Sequence, residues 1–302
     1  MYLAEAMDAG DPALFGTYVA WTKTMLAARG IPPEDLAHHL ELMRTVIAGQ
    51  VASDVGGLAV EYVTAALVQL PSFSTDLPTC LASEGPYAEL AGAYLGALLN
   101  SERHVASRMI LDAVAGGVPV KQIYLHVFQP AQYEIGRLWQ LNKINVAQEH
   151  YCTAATQLVM SQLYPYVFAS EKRAGTLVAT CVAGDLHEIG MRMVADFFEM
   201  EGWNTVYLGA NMPSSAVVDT VVQRHAQALG ISATMSFHLR AVGELIDKIH
   251  ARAECLDVTV LVGGYPFLAS PGLWRQIGAD GTAPDAQAAI VLANQLIAHD
   301  TP

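Results

Sequence analysis

Residues 176–190 read TLVATCVAGDLHEIG. An apolar run rich in β-branched residues has the length of a buried strand, and it breaks at Gly184 into a polar turn before a helix-like segment begins. The same alternation returns at NTVYLGA (204–210), ALGISAT (228–234) and VTVLVGG (258–264), each run followed by a helix-like stretch. Short apolar strands alternating with helices describe a parallel sheet covered on both faces. Residues 173–302 are therefore expected to form a flavodoxin-like or Rossmann-like domain with a five-stranded parallel sheet. Ligands of such sheets lie at the carboxyl ends of the strands, near the point where strand order reverses. His187 stands just beyond the first strand, between the carboxylates Asp185 and Glu188.

Upstream the periodicity is helical. Segments from about residue 12 to 70 carry apolar residues at helical spacing, and PPEDLAHHL begins a helix with proline and acids in its first turn. PSFSTDLPTCLASEGP (71–86) breaks the pattern and reads as a linker. Residues 87–100, 101–115, 121–141 and 145–169 then read as four amphipathic helices with short connections, the pattern of a bundle. Three regions follow from this: an N-terminal helical segment (1–80), a four-helix bundle (81–172) and the α/β domain (173–302).

The chain has 302 residues, 53% of them hydrophobic, and a formal net charge of −13. Phosphate-bearing partners are held by clustered Lys and Arg, so nucleic acid is not an expected partner. Residues 1–95 hold three basic residues against eleven acids. No uninterrupted apolar run approaches the ~18 residues of a membrane span, and a soluble cytoplasmic protein is expected. Cys80, Cys152, Cys181 and Cys255 lack C-x-x-C spacing and read as thiols rather than zinc ligands or disulfides.

An imidazole that ligates a metal through one nitrogen needs an acceptor on the other, and Asp185 is placed to be that acceptor for His187. Asp185-Leu186-His187-Glu188-Ile189-Gly190 resembles the D-x-H-x-x-G signature of cobalamin-binding domains. Ser232, the pair Gly263-Gly264 and the terminal IGADGTAPDAQAAI match further features in order. The resemblance implies that His187 coordinates cobalt from below in place of the vitamin's benzimidazole. It further implies that the displaced tail threads a slot lined by Gly190, Ser232, Gly263 and Gly264.

A second stretch, GRLWQLNKINVAQEH (136–150), resembles the W-x9-E-H signature of light-dependent cobalamin photoreceptors. That resemblance implies that Trp139, Glu149 and His150 cover the upper face of the corrin and enclose an adenosyl group. Gln140 departs from the family, whose residue at this place is a histidine able to take the upper cobalt position; His150, His126 and His104 are alternatives. Tyr18, Trp21, Tyr62, Phe73, Tyr87, His38 and His39 offer rings for a second flat chromophore, as in photocobilins, where biliverdin sits near the corrin. The expected function is thus a light sensor. It would bind adenosylcobalamin with His187 on cobalt, and photolysis would change conformation or assembly. A homo-oligomer, a dimer, and a downstream signalling partner are expected, without catalytic turnover. The competing reading is a corrinoid methyl-carrier protein of a methyltransferase system, which shares the D-x-H-x-x-G domain and a preceding helical bundle. The W-x9-E-H spacing favours the sensor, since a methyl carrier needs an upper face open to partner enzymes.

Overall fold

The computed structural model describes residues 1–168, 171 and 175–299. The expected boundary at 172/173 and the expected helix end near residue 169 lie outside the described residues. The helical part comprises α1 (Tyr2–Asp8), α2 (Pro12–Ala27), α3 (Pro33–Gln50), α4 (Ser53–Gln69), α5 (Ala88–Leu99), α6 (Arg103–Ala115), α7 (Val120–Ile123), a π-helical turn (Tyr124–Phe128), α8 (Gln129–Gln140), α9 (Val146–Gln162) and α10 (Tyr164–Val167). The α/β part runs β1 (Thr176–Cys181), α11 (Ile189–Met200), β2 (Asn204–Gly209), α12 (Ser214–Arg224), β3 (Ala228–Ser232), a 3-10 turn (Ser236–His238), α13 (Leu239–His250), β4 (Thr259–Gly263), α14 (Tyr265–Ala269), α15 (Leu273–Gln276), β5 (Gly281–Thr282) and α16 (Ala286–His299).

The chain divides into two compact units. One comprises Met1–Tyr18, Glu41–Val68 and Ser170–Pro302, the other Val19–Leu40 and Gln69–Ala169. Residues of the expected 1–80 segment are therefore shared between the two.

In the first unit all five strands are parallel, in the order β2-β1-β3-β4-β5. This is the flavodoxin-like order, one of the two fold types expected, with its switch point between β1 and β3. Every residue of β3 and five of the six in β1 are buried, which is why these strands read as continuous apolar runs rather than alternating ones. The fifth strand has two residues, too few for any pattern to announce it. Helix α1 was likewise silent in the sequence. A seven-residue helix is marginal in isolation, and this one is held by Tyr2, whose ring stacks on Tyr18 at 3.7 Å and meets Phe237 edge-on at 5.1 Å.

In the second unit α5, α6, α9 and the continuous run from α7 through α8 form the expected bundle. Its interior contains Tyr94, Ile110, Tyr124, Phe128, Ile135 and Met160, all fully buried. An Asn145 capping box starts α9: the side chain accepts the Gln148 N–H, and the Gln148 side chain accepts the Asn145 N–H. The stretch 71–86 is irregular, as its composition demands, yet it is pinned. Lys23 of α2 is buried and its Nζ donates to the Leu70 carbonyl (2.8 Å) and the Phe73 carbonyl (2.7 Å). Farther along, Arg137 Nη1 donates to the Leu77 carbonyl (2.9 Å), and Glu134 Oε2 accepts the Cys80 N–H (2.8 Å). Lys23→Met would keep the aliphatic stem and strand these carbonyls, so we expect a loss of about 2 kcal/mol, read as a lower denaturant midpoint at unchanged slope.

Among the described residues no helix is long and apolar enough to cross a membrane.

Candidate functional site

The last residues of β1, β3 and β4 lie side by side: Cys181 pairs with Ser232, and Ser232 with Gly263. Two hydrogen bonds extend this edge, Val182 N–H to the Ser232 carbonyl and Ala233 N–H to the Gly263 carbonyl, each 3.0 Å. The sheet thereby brings Ser232 and Gly263, thirty-one positions apart in the chain, to one end. The loop carrying His187 rises from the same end.

Asp185 is the buried centre of that loop, with no solvent exposure. Its Oδ1 accepts the His187 ring Nδ1–H (2.8 Å) and the His187 backbone N–H (3.0 Å), while Oδ2 accepts the Thr234 N–H (2.6 Å). Burial by itself would raise this carboxyl, but the three hydrogen bonds outweigh it and hold Asp185 below its ordinary range. A carboxylate accepting at Nδ1 fixes the imidazole tautomer, so the lone pair resides on Nε2. The His187 side chain is 61% exposed, and its neighbour Leu186 is 72% exposed. An exposed imidazole and an apolar side chain thus stand together at the sheet's end, a combination that could suit a flat, largely apolar metal complex. Glu188, the second carboxylate beside His187, turns instead toward β2, where the Tyr207 hydroxyl donates to its carbonyl (3.2 Å) and to Oε2 (3.3 Å).

Two residues that the sequence did not mark complete the loop. Asn211, in a left-handed conformation, accepts the Gly184 N–H at Oδ1 (2.8 Å) and donates its own N–H to the Asp185 carbonyl (3.0 Å). His238 is buried, with Nδ1 3.7 Å from Asp185 Oδ2. Burial lowers its pKa and favours the neutral ring. Beneath the loop the Cys181 thiol is pushed up to about 12 by burial.

Among the described residues no group of three or more His, Cys, Asp or Glu side chains is arranged to hold a metal ion. One imidazole is sufficient for a metal that arrives with its in-plane nitrogens attached, as in macrocyclic cofactors. The glycines separate into two kinds. A Cβ placed on Gly190 or Gly263 would meet nothing within 4 Å, leaving open space beside them. A Cβ on Gly264 would lie 2.0 Å from the Ala233 carbonyl oxygen, and Gly264 has φ +109°, so the backbone just past β3 demands glycine there.

In the second unit Trp139 stacks against Trp21 (ring centroids 6.1 Å apart, 29° between planes) with the Arg29 guanidinium 5.6 Å from its ring centre. Gln140 Nε2 donates to the Trp21 carbonyl (3.1 Å), and Arg29 Nη1 donates to the Gln140 carbonyl (3.2 Å). Trp139 and Gln140 therefore join α8 to α2. Glu149 and His150 open α9 and contact each other, Oε2 to Nδ1 at 2.5 Å, and Glu149 Oε1 accepts the Thr153 hydroxyl (3.0 Å). Of the other histidines considered, His126 stacks on Tyr87 (5.4 Å) and His104 is exposed on α6. The remaining N-terminal rings are distributed over both units: Tyr18 and Tyr62 in the first, Trp21, Phe73 and Tyr87 in the second.

A family model described as a B12 binding domain matches residues 175–291, and a second B12 binding domain model matches residues 90–164. Dimethylamine corrinoid protein 1 of Methanosarcina acetivorans is 28% identical over 215 residues, 70% of this chain and 98% of its own length. Dimethylamine corrinoid protein 2 of Methanosarcina mazei is 31% identical over 129 residues, 43% of this chain and 59% of its own length. The match thus spans less than two thirds of that relative. The solved structure of the Methanosarcina barkeri monomethylamine corrinoid protein superposes with a TM-score of 0.61 at 24% identity, over 70% of this chain and 99% of that one, which shows the shared fold.

These relatives correct the expectation of a light sensor. They are corrinoid proteins named for methylamines, and the reading set against the sensor, a corrinoid methyl carrier, fits them better. Spacing had identified Trp139, Glu149 and His150 but could not say what surrounds them. Each half of the chain thus resembles a B12 binding domain, and the Asp185–His187 contact lies within the residues matched by the first model.

Proposed function

We propose that the protein is a corrinoid methyl carrier of a methyltransferase system, receiving a methyl group from one enzyme and yielding it to another. The observation that carries this reading is His187, exposed at the sheet's carboxyl end with its ring oriented by a buried aspartate. Residues 173–302 would bind a cobalamin, and His187 Nε2 would hold its cobalt in place of the vitamin's benzimidazole. The open positions beside Gly190 and Gly263, with Ser232 at the strand edge, suit the displaced tail. When bound, the corrin cobalt supplies a site that accepts and releases a methyl group. The chain's own part is to hold the ring: Asp185 keeps the proton on His187 Nδ1 and sets the donor strength of Nε2. Leu186 offers apolar surface beside the metal position. An adenosyl group or a bilin has no part in this reading.

Methyltransferases are the proposed partners, and methylated amines are the donor class that the relatives' names suggest. The test is to load the protein with methylcobalamin in the dark and add a cobalamin-dependent methyltransferase with a thiol acceptor. Conversion of the methylcobalamin spectrum with one methyl thioether formed per protein is expected. A protein that binds no cobalamin, or retains its methyl group in the presence of a transferase active on free methylcobalamin, would overturn the proposal.

A further inference from the structure

Helix α13 begins directly behind His238, and its N-cap residue, His238 itself, provides no side-chain cap. The unpaired N–H groups of a first helical turn need acceptors. One comes from a distant helix: Glu5 of α1, with its side chain only 11% exposed, accepts the Arg240 N–H at Oε2 (3.0 Å). The Arg240 guanidinium also reaches Glu5 Oε1 (3.8 Å) and Asp8. The pair with Asp8 is more than half exposed on both sides and contributes little. A cavity of about 420 Å³ lies alongside, lined in part by Met1, Glu5, Gly184, His238 and Glu244. Beside the Tyr2–Phe237 ring contact, the Glu5 bond is the hydrogen bond that ties α1 to the start of α13.

What the tie holds is the wall of the His187 loop. Phe237 meets His238 edge-on at 4.2 Å, and the His238 ring abuts Gly184, where a Cβ would come within 3.2 Å of Nε2. His238 in turn faces Asp185, while Thr234, a few residues upstream, donates to the same Oδ2. We propose that Glu5 is a positioning residue for the His187 loop, capping α13 from outside so that the 234–238 segment keeps Asp185, and through it the His187 ring, in place. The benefit to cofactor binding rests on His187 being the cobalt ligand; the effect on the loop does not.

The test compares Glu5→Ala with Glu5→Gln, whose amide oxygen can still accept from Arg240. In the apoprotein, amide hydrogen exchange at His187 and Thr234 should rise about fivefold in Glu5→Ala, the fold-change that loss of a helix cap implies. The dissociation constant for cobalamin should rise by a similar factor, with a smaller fraction of cobalt coordinated by histidine in the absorption spectrum. Glu5→Gln should stay within about twofold of the parent protein in each readout, since the acceptor remains. Asp8→Asn should leave both unchanged. Exchange at His187 and Thr234 unaltered by Glu5→Ala, or raised equally by Glu5→Gln, would overturn the proposal. A parent protein without histidine-coordinated cobalt would instead remove the cobalt reading, with the exchange result still judging Glu5.

Discussion

Replacing His187 by alanine should abolish histidine-coordinated cobalamin and raise the dissociation constant at least tenfold, to about a hundredfold, while the protein stays folded. The first part follows from the donor set: the loop offers no second imidazole hydrogen-bonded to Asp185, since His238 Nδ1 stands 3.7 Å away and its ring is buried. Changes even to the groups that orient a metal ligand typically cost ten- to a hundredfold in affinity, and loss of the ligand itself should be no milder. The second part follows from Asp185, which loses one hydrogen bond but keeps the N–H groups of His187 and Thr234. Its carboxylate is therefore not left unpaired, and destabilisation should stay near 1 kcal/mol. Cobalamin titration followed by absorption, beside a thermal melt of the apoprotein, separates the two effects.

Gly264→Ala should have the largest effect on stability, about 3 kcal/mol or more. The added methyl would lie 2.0 Å from the Ala233 carbonyl oxygen, a backbone atom fixed by the β3–β4 ladder, and the residue's φ of +109° is unfavourable for any side chain. Relief requires moving the end of β3, where Ser232 sits. Its neighbour provides the control: Gly263→Ala meets nothing within 4 Å and should melt like the parent protein. If the open space there receives the cofactor's tail, Gly263→Ala should nonetheless bind cobalamin more weakly. Apoprotein melting temperatures and cobalamin titrations on the two variants measure both effects.

The difference between these glycines shows where sequence reading succeeds. Strand and helix periods are local, so the parallel sheet, the four-helix bundle and the loop after β1 were legible. So was the Asp185–His187 contact, because the partners are two residues apart. Contacts between distant segments leave no such trace. His238 meets Asp185 across fifty-three positions, and Glu5 meets Arg240 across two hundred and thirty-five. Neither carries a spacing that could have marked it. Helix α1 was missed, and the fifth strand of the expected sheet was given no position, because seven and two residues are too few to display a period.

The W-x9-E-H stretch shows the opposite hazard. Its spacing was read correctly, but the inference drawn from it, a light sensor, does not agree with the methylamine corrinoid relatives. In the folded chain Trp139 meets Trp21 and Arg29, and Gln140 bonds to the Trp21 backbone. The partner residues come from α2 and the turn that follows it, which the spacing does not include. An indole in contact with an aromatic ring and a guanidinium has a packing role whatever ligand the protein carries.

The most direct measurement is electron paramagnetic resonance of the protein loaded with cob(II)alamin, prepared once with natural histidine and once with histidine labelled with nitrogen-15 in the ring. If His187 holds cobalt, the nitrogen splitting of the axial ligand changes from three lines to two on labelling and vanishes in His187→Ala. Three-line splitting that persists after labelling would mean that the vitamin's own benzimidazole remains on cobalt, and the account built on His187 would be wrong.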